Sequence, residues 1–172
     1  MNDPYPYHFE AEIERFGVGK TRKIWYSVLM LPDALRRELP FGTYPRLRVD
    51  GEIADVPVSN AFIPTGDGRN YVIVGPEVRE SAAVDVGDVV TMRFAVSDQD
   101  HVDVPEALDT ALDADRAAAD AWSALTPGKR RALAQHVRSA KTDATRGRRV
   151  GEALDALIHH GADLRAWRRA RP

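Results

Sequence analysis

Cysteine is absent from this 172-residue chain, which excludes disulfides, thiolate metal sites and cysteine nucleophiles together. Long apolar runs are lacking too: the longest, residues 24–31, is far shorter than the roughly 20 residues a membrane helix needs. The first 14 residues carry Asp3, Glu10, Glu12 and Glu14 with no basic start, so no secretory signal is expected and a cytoplasmic location is. Lysine is scarce, 4 residues against 20 arginines, a bias that a GC-rich coding sequence accounts for. The five histidines, at 8, 101, 136, 159 and 160, are scattered and read as surface residues; adjacent His159 and His160 point apart on a helix and make poor joint ligands. No nucleophile stands in an evident relation to a base, so no catalytic residue, metal ligand or cofactor is expected.

What remains is an ordinary globular composition, 44% apolar and 29% charged. The net charge of −2 is unevenly spread: residues 1–100 hold 11 Lys and Arg against 16 Asp and Glu, whereas residues 101–172 hold 13 against 10. The hydrophobic period changes at the same place. From Tyr7 to Ser97 it is mostly two, predicting strands near 7–16, 23–31, 45–50, 52–63, 70–74 and 88–97. Asp50-Gly51 suits a tight hairpin turn. Two short helical insertions, 32–39 and 76–83, would plug the mouth of a small barrel through Leu35, Leu39 and Val78.

Beyond His101 the period is 3.6. Asp103 and Glu106 read as a capping box for a helix over 104–113, with Leu108, Ala111 and Leu112 on one face. Asp115 caps a second helix bearing Ala118, Trp122 and Leu125. Thr126-Pro127 opens a third, buried through Leu133, Val137 and Ala140. A fourth begins near Thr142 or Asp143, buries Val150, Leu154, Leu157 and Ile158, and stops at Gly161. The arginine-rich tail, 164–172, frays unless Trp167 docks. The expected protein is therefore α+β: a six-stranded antiparallel β-barrel over 1–100 and a bundle of about four helices over 101–172.

Several residues of the second half recur in a known order. Pro105, Leu108, Ala111 and Leu112, then Trp122 and Leu125, then Lys129-Arg130-Arg131, Ala140-Lys141, Thr145-Arg146 and Arg149 resemble the YdeI or OmpD-associated (bacteriocin-protection) family, with Gln135-His136 where that family more often carries aromatics. Leu31-Pro32, Arg48-Val49-Asp50-Gly51, Gly66-Asp67-Gly68, Arg79 and Gly87-Asp88 resemble the small barrel domain that often precedes this module. The resemblance implies a bacterial protein linked to envelope stress and antimicrobial-peptide tolerance. A non-enzymatic binding or adaptor role is the expectation, with a protein or an anionic ligand as partner.

Candidate contacts follow from charge and position. Lys141, Thr145, Arg146 and Arg149 surround a helix start, where backbone amides favour anions; the competing reading is that they pin helices together through carbonyls and carboxylates. Arg48 and Arg79, with Asn60 and Tyr71, lie in or beside strands and could face a small-molecule or anion site at the barrel mouth, or simply satisfy neighbours such as Asp88. Segment 129–172 holds 12 basic and 4 acidic residues, yet only Trp167 is there to stack on a base, so nucleic acid is the least favoured partner for the helices.

Overall fold

The computed structural model describes residues 3–171, which divide into two compact units between Gln99 and Asp100. The fold is α+β. In the first unit the strands are β1 (Tyr7–Glu12), β2 (Glu14–Val18), β3 (Ile24–Met30), β4 (Leu47–Ile53), β5 (Val56–Pro64), β6 (Asn70–Ile73) and β7 (Val89–Val96), with α1 (Asp33–Glu38) and α2 (Pro76–Ala82) inserted between them. The sheet is antiparallel throughout, in the order β1-β7-β4-β5-β6-β3-β2.

The expected six-stranded barrel is thus an open seven-stranded sheet. The extra strand arises because the long first strand breaks at Ile13: β1 pairs with β7 and β2 with β3, at opposite ends of the strand order. No ladder joins these two edges, but one residue does. A flat sheet would set them about 29 Å apart, six spacings of about 4.8 Å, whereas the Cα atoms flanking one residue are about 7 Å apart at most. The sheet must therefore curl. Ile13, fully buried, is held at the bend by its own backbone, its N–H donating to Asp88 O and its carbonyl accepting from Gly87 N, both at 2.9 Å.

The Asp50-Gly51 pair makes no turn; it lies inside β4, opposite Ser59 and Val58 of β5. The hairpin turns instead at Ala54 and Asp55, whose φ angles of 48° and 63° give the paired left-handed conformation of a two-residue turn that fits strand twist. Alternate residues of the curled sheet meet inside: Phe9, Leu47, Val49, Ile53, Phe62, Met92 and Phe94 form the core, with Phe62 and Phe94 edge to face at 5.2 Å. Leu39 is buried there, and Leu35 and Val78 pack against it, so both helical insertions do cover this core.

The second unit holds five helices among the described residues, α3 (Glu106–Ala114), α4 (Arg116–Ser123), α5 (Pro127–Arg138), α6 (Asp143–His159) and α7 (Leu164–Ala170). Asp115, Thr126 and Thr142 cap α4, α5 and α6 by accepting from the N–H groups of Ala118, Lys129 and Thr145. The expected capping box on α3 does not form. Its N-cap is Pro105, and Asp103 is drawn away by Arg138, whose Nη2 lies 3.0 Å from Asp103 Oδ2. Leu108, Leu112, Ala118, Leu133, Val137, Ala153 and Leu157 make the core, while Ile158, expected inside, is 41% exposed. The fifth helix exists because Trp167 docks: it is buried and its Nε1–H donates to Asp155 Oδ2 at 2.5 Å. The tail expectation also included Pro172, outside the described residues.

Candidate functional site

The cationic residues at the start of α6 are directed at the end of α5. Arg149 Nη1 donates to His136 O at 3.0 Å and to Ser139 Oγ at 2.6 Å. Arg146 donates to Asp143 Oδ1 at 2.5 Å and to Ala140 O at 3.5 Å. Arg149 thus adds a donor to a carbonyl in the last turn of α5, and Arg146 reaches a carbonyl just beyond that helix. Thr145 receives its own contact from Thr142, the capping hydroxyl, so this helix start meets side chains of its own chain. Lys141 is exposed and makes no polar contact among the described residues. Arg146 also borders a shallow hollow of about 500 Å³ with Pro105, Glu106, Ala107 and Thr110.

Nearby lies the nearly buried pair His136 and Glu152, joined at 2.8 Å with side chains 11% and 12% exposed. Reading all histidines as surface residues was therefore mistaken for His136; its position on α5 opposite a carboxylate of α6 could not be seen in one strand of sequence. Among the described residues no group of three or more His, Cys, Asp or Glu could hold a metal ion, and no helix is long and apolar enough to cross a membrane.

In the strand unit, Arg48 Nη1 donates to Asp98 O at 3.3 Å, and its backbone is clasped on both sides by the Gln99 amide. Asn60 is tied to Ile73 O and borders a hollow of about 580 Å³ between β5 and α2. Tyr71 is buried against Phe16 at 5.0 Å, and desolvation pushes its hydroxyl pKa up.

Arg79 differs from these. Its Nη1 donates to Asp85 Oδ1 at 2.8 Å, so its carboxylate partner is Asp85 and not Asp88, which instead accepts from Asp85 N. Its Nε is the one buried side-chain polar atom without a hydrogen-bond partner among the described residues. Arg79 lines a hollow of about 410 Å³ with Arg15, Trp25, Tyr26, Ser27, Asp85 and Val86. The Val86 N–H and then Arg79 hold the Asp85 carboxyl below the usual carboxylate range, so it is ionised at neutral pH.

Trp25 is the unusual wall of this hollow. It stands opposite Gly17 in the β2–β3 ladder, and its ring lies over that glycine so closely that a Cβ on Gly17 would meet ring carbons at 3.1 and 3.2 Å. The ring is nevertheless 53% exposed. Arg15 and Lys23 reach over it, their charged ends 5.6 and 5.8 Å from the ring centroid. Sequence reading found Arg79 but missed Arg15, Lys23, Trp25 and Asp85. Trp25 sits in an apolar run that reads as core; the available signal was the cluster of Lys20, Arg22 and Lys23 just before it.

Residues 9–94 match the family described as domain of unknown function DUF1905, and residues 101–159 match the family described as bacteriocin-protection, YdeI or OmpD-associated. The search of curated proteins found no match. The hollow at Arg79 lies wholly within the first matched module and the α5–α6 arginines within the second. The chain belongs to the DUF1905 family, and a YdeI or OmpD-associated module follows that domain.

Proposed function

We propose that this protein is a non-enzymatic binding protein that takes an anionic ligand in the hollow around Arg79, and that a bacteriocin-protection, YdeI-like role runs through that binding. The observation that carries the reading is the orphaned Nε of Arg79. A buried donor without an acceptor is costly, and buried polar groups are nearly always paired; an anion oxygen in the hollow supplies the missing acceptor. The volume, about 410 Å³, suits a small ligand. Arg15 joins Arg79 against the single carboxylate of Asp85.

Thermal shift with inorganic phosphate and pyrophosphate tests this. Ligand that prefers the folded state raises the melting temperature by mass action, and Arg79→Gln should abolish the rise while leaving the melting temperature without ligand little changed, since its ion-pair partner Asp85 is largely exposed. An unchanged rise in Arg79→Gln removes the site. The second reading, an acidic partner docking at Lys141 and Arg146, draws on Lys141, exposed and without a polar contact among the described residues, and on the hollow that Arg146 borders; Lys141→Ala with Arg146→Ala would weaken that docking and leave phosphate binding intact.

A further inference from the structure

Resting on the anion-site reading, we infer that the ligand is a nucleotide, free or as an unpaired residue of a single strand, whose base stacks on Trp25 and whose phosphate is met by Arg15, Lys23 and Arg79.

Three observations converge on that chemistry. Trp25 is half exposed, lies against the backbone of Gly17, carries the charged ends of Arg15 and Lys23 over its ring at 5.6 and 5.8 Å, and lines the same hollow as Arg79. Every nucleobase offers a π face to such a ring, and aromatic stacking together with basic side chains is how unpaired nucleotides are commonly bound. The two cations over the ring oppose a cationic ligand, so the exposed ring is unsuited to capture an ammonium group. They favour a ligand that joins an aromatic ring to a negative charge, and the turn between β2 and β3 adds exposed Lys20 and Arg22.

Asp85 and Ser27 refine the class. Asp85 lines the same hollow; its Oδ1 accepts from Arg79 and from Val86 N, while its Oδ2 has no hydrogen-bond partner among the described residues. An ionised carboxylate can only accept, and a base with an exocyclic amine, such as cytosine, supplies a donor to it. The Ser27 hydroxyl, which both donates and accepts, lines the hollow too. A phosphotyrosine side chain also joins ring to phosphate, but its ring brings no donor for Asp85. An exocyclic amine offers that carboxylate two N–H donors where uracil offers the single N3–H, so cytosine or adenine nucleotides fit better than uridine nucleotides.

The test titrates intact protein at low salt with CMP, UMP, cytidine, phosphotyrosine, inorganic phosphate and an eight-residue oligocytidylate, following tryptophan fluorescence and, independently, equilibrium dialysis. The expected result is that CMP binds at least tenfold more tightly than inorganic phosphate, more tightly than UMP, and quenches fluorescence. Trp25→Leu should lower CMP affinity roughly ten- to hundredfold, abolish the quench and leave phosphate affinity alone. Trp25→Phe, which keeps a ring, should retain most of the CMP affinity, separating stacking from a general loss of structure. If the oligomer binds more tightly than CMP, with affinity falling as salt rises by about 0.7 in the logarithmic slope per phosphate, the source is a single strand; equal affinity assigns a free nucleotide. Equal binding of CMP and phosphate without quenching overturns the base and leaves the anion site standing. Phosphotyrosine binding as tightly as CMP also overturns it, and binding of neither CMP nor phosphate removes both readings.

Discussion

Gly51 of β4 faces Phe94 of β7 so closely that a Cβ at position 51 would stand 2.7 Å from Phe94 Cα and 2.1 Å from Arg93 O. Both obstacles are backbone and cannot swing aside. Gly51→Ala should therefore destabilise the strand unit by about 3 kcal/mol or more, the upper end of overpacking costs, measured by chemical denaturation; a loss below about 1 kcal/mol would show that the two strands separate easily.

That glycine also shows where sequence reading stops. Asp50-Gly51 has the composition of a turn, but glycine is used equally for positive φ and for close approach, and only the partner strand distinguishes them. The real turn, Ala54-Asp55, carries no glycine or asparagine and gives no signal. Alternation along residues 7–18 identified strand but could not show the bend at Ile13. Helix starts were legible at Asp115, Thr126 and Thr142 because a cap is local; Asp103 misled because its partner, Arg138, is 35 residues away. The same locality divides the candidate site: Arg79 was visible as a charge beside a strand, whereas Trp25 gained meaning only from its exposure and its neighbours across the ladder.

Arg149 spends its guanidinium on the last turn of α5. Arg149→Ala should cost the helical unit about 1.5–3 kcal/mol, the range for hydrogen bonds to charged groups, and Arg149→Lys should recover little because an ammonium cannot reproduce the planar fork. Urea unfolding followed by helical circular dichroism checks this; full recovery with lysine would mean that charge alone matters there.

The His136–Glu152 pair is nearly buried, and Glu152 also lies 3.7 Å from Arg148 and from Arg171. Glu152→Leu should destabilise by about 1–3 kcal/mol, since it leaves the imidazole without its partner. Adding His136→Leu should restore part of the loss, as apolar pairs often replace buried polar ones. Strict additivity of the two substitutions in a double-mutant cycle would show that they are not coupled.

Asp163 caps α7 by accepting from the N–H groups of Ala166 and Arg165, which hold its carboxyl below the ordinary value of 3.8. Because the folded pKa is the lower one, the contribution is present above the unfolded value and is lost as pH falls through the folded one. Asparagine keeps the cap without the titration. The melting temperature of Asp163→Asn should therefore fall less than that of the unsubstituted protein between about pH 4 and pH 2. Parallel curves would show that the carboxylate charge adds nothing at this cap.

The single-residue joint at Ile13 gives the strand unit a topological weak point. Since no ladder joins the outermost strands, new termini placed at that residue would remove their covalent tie and leave two rims whose unpaired amides and carbonyls other chains could extend.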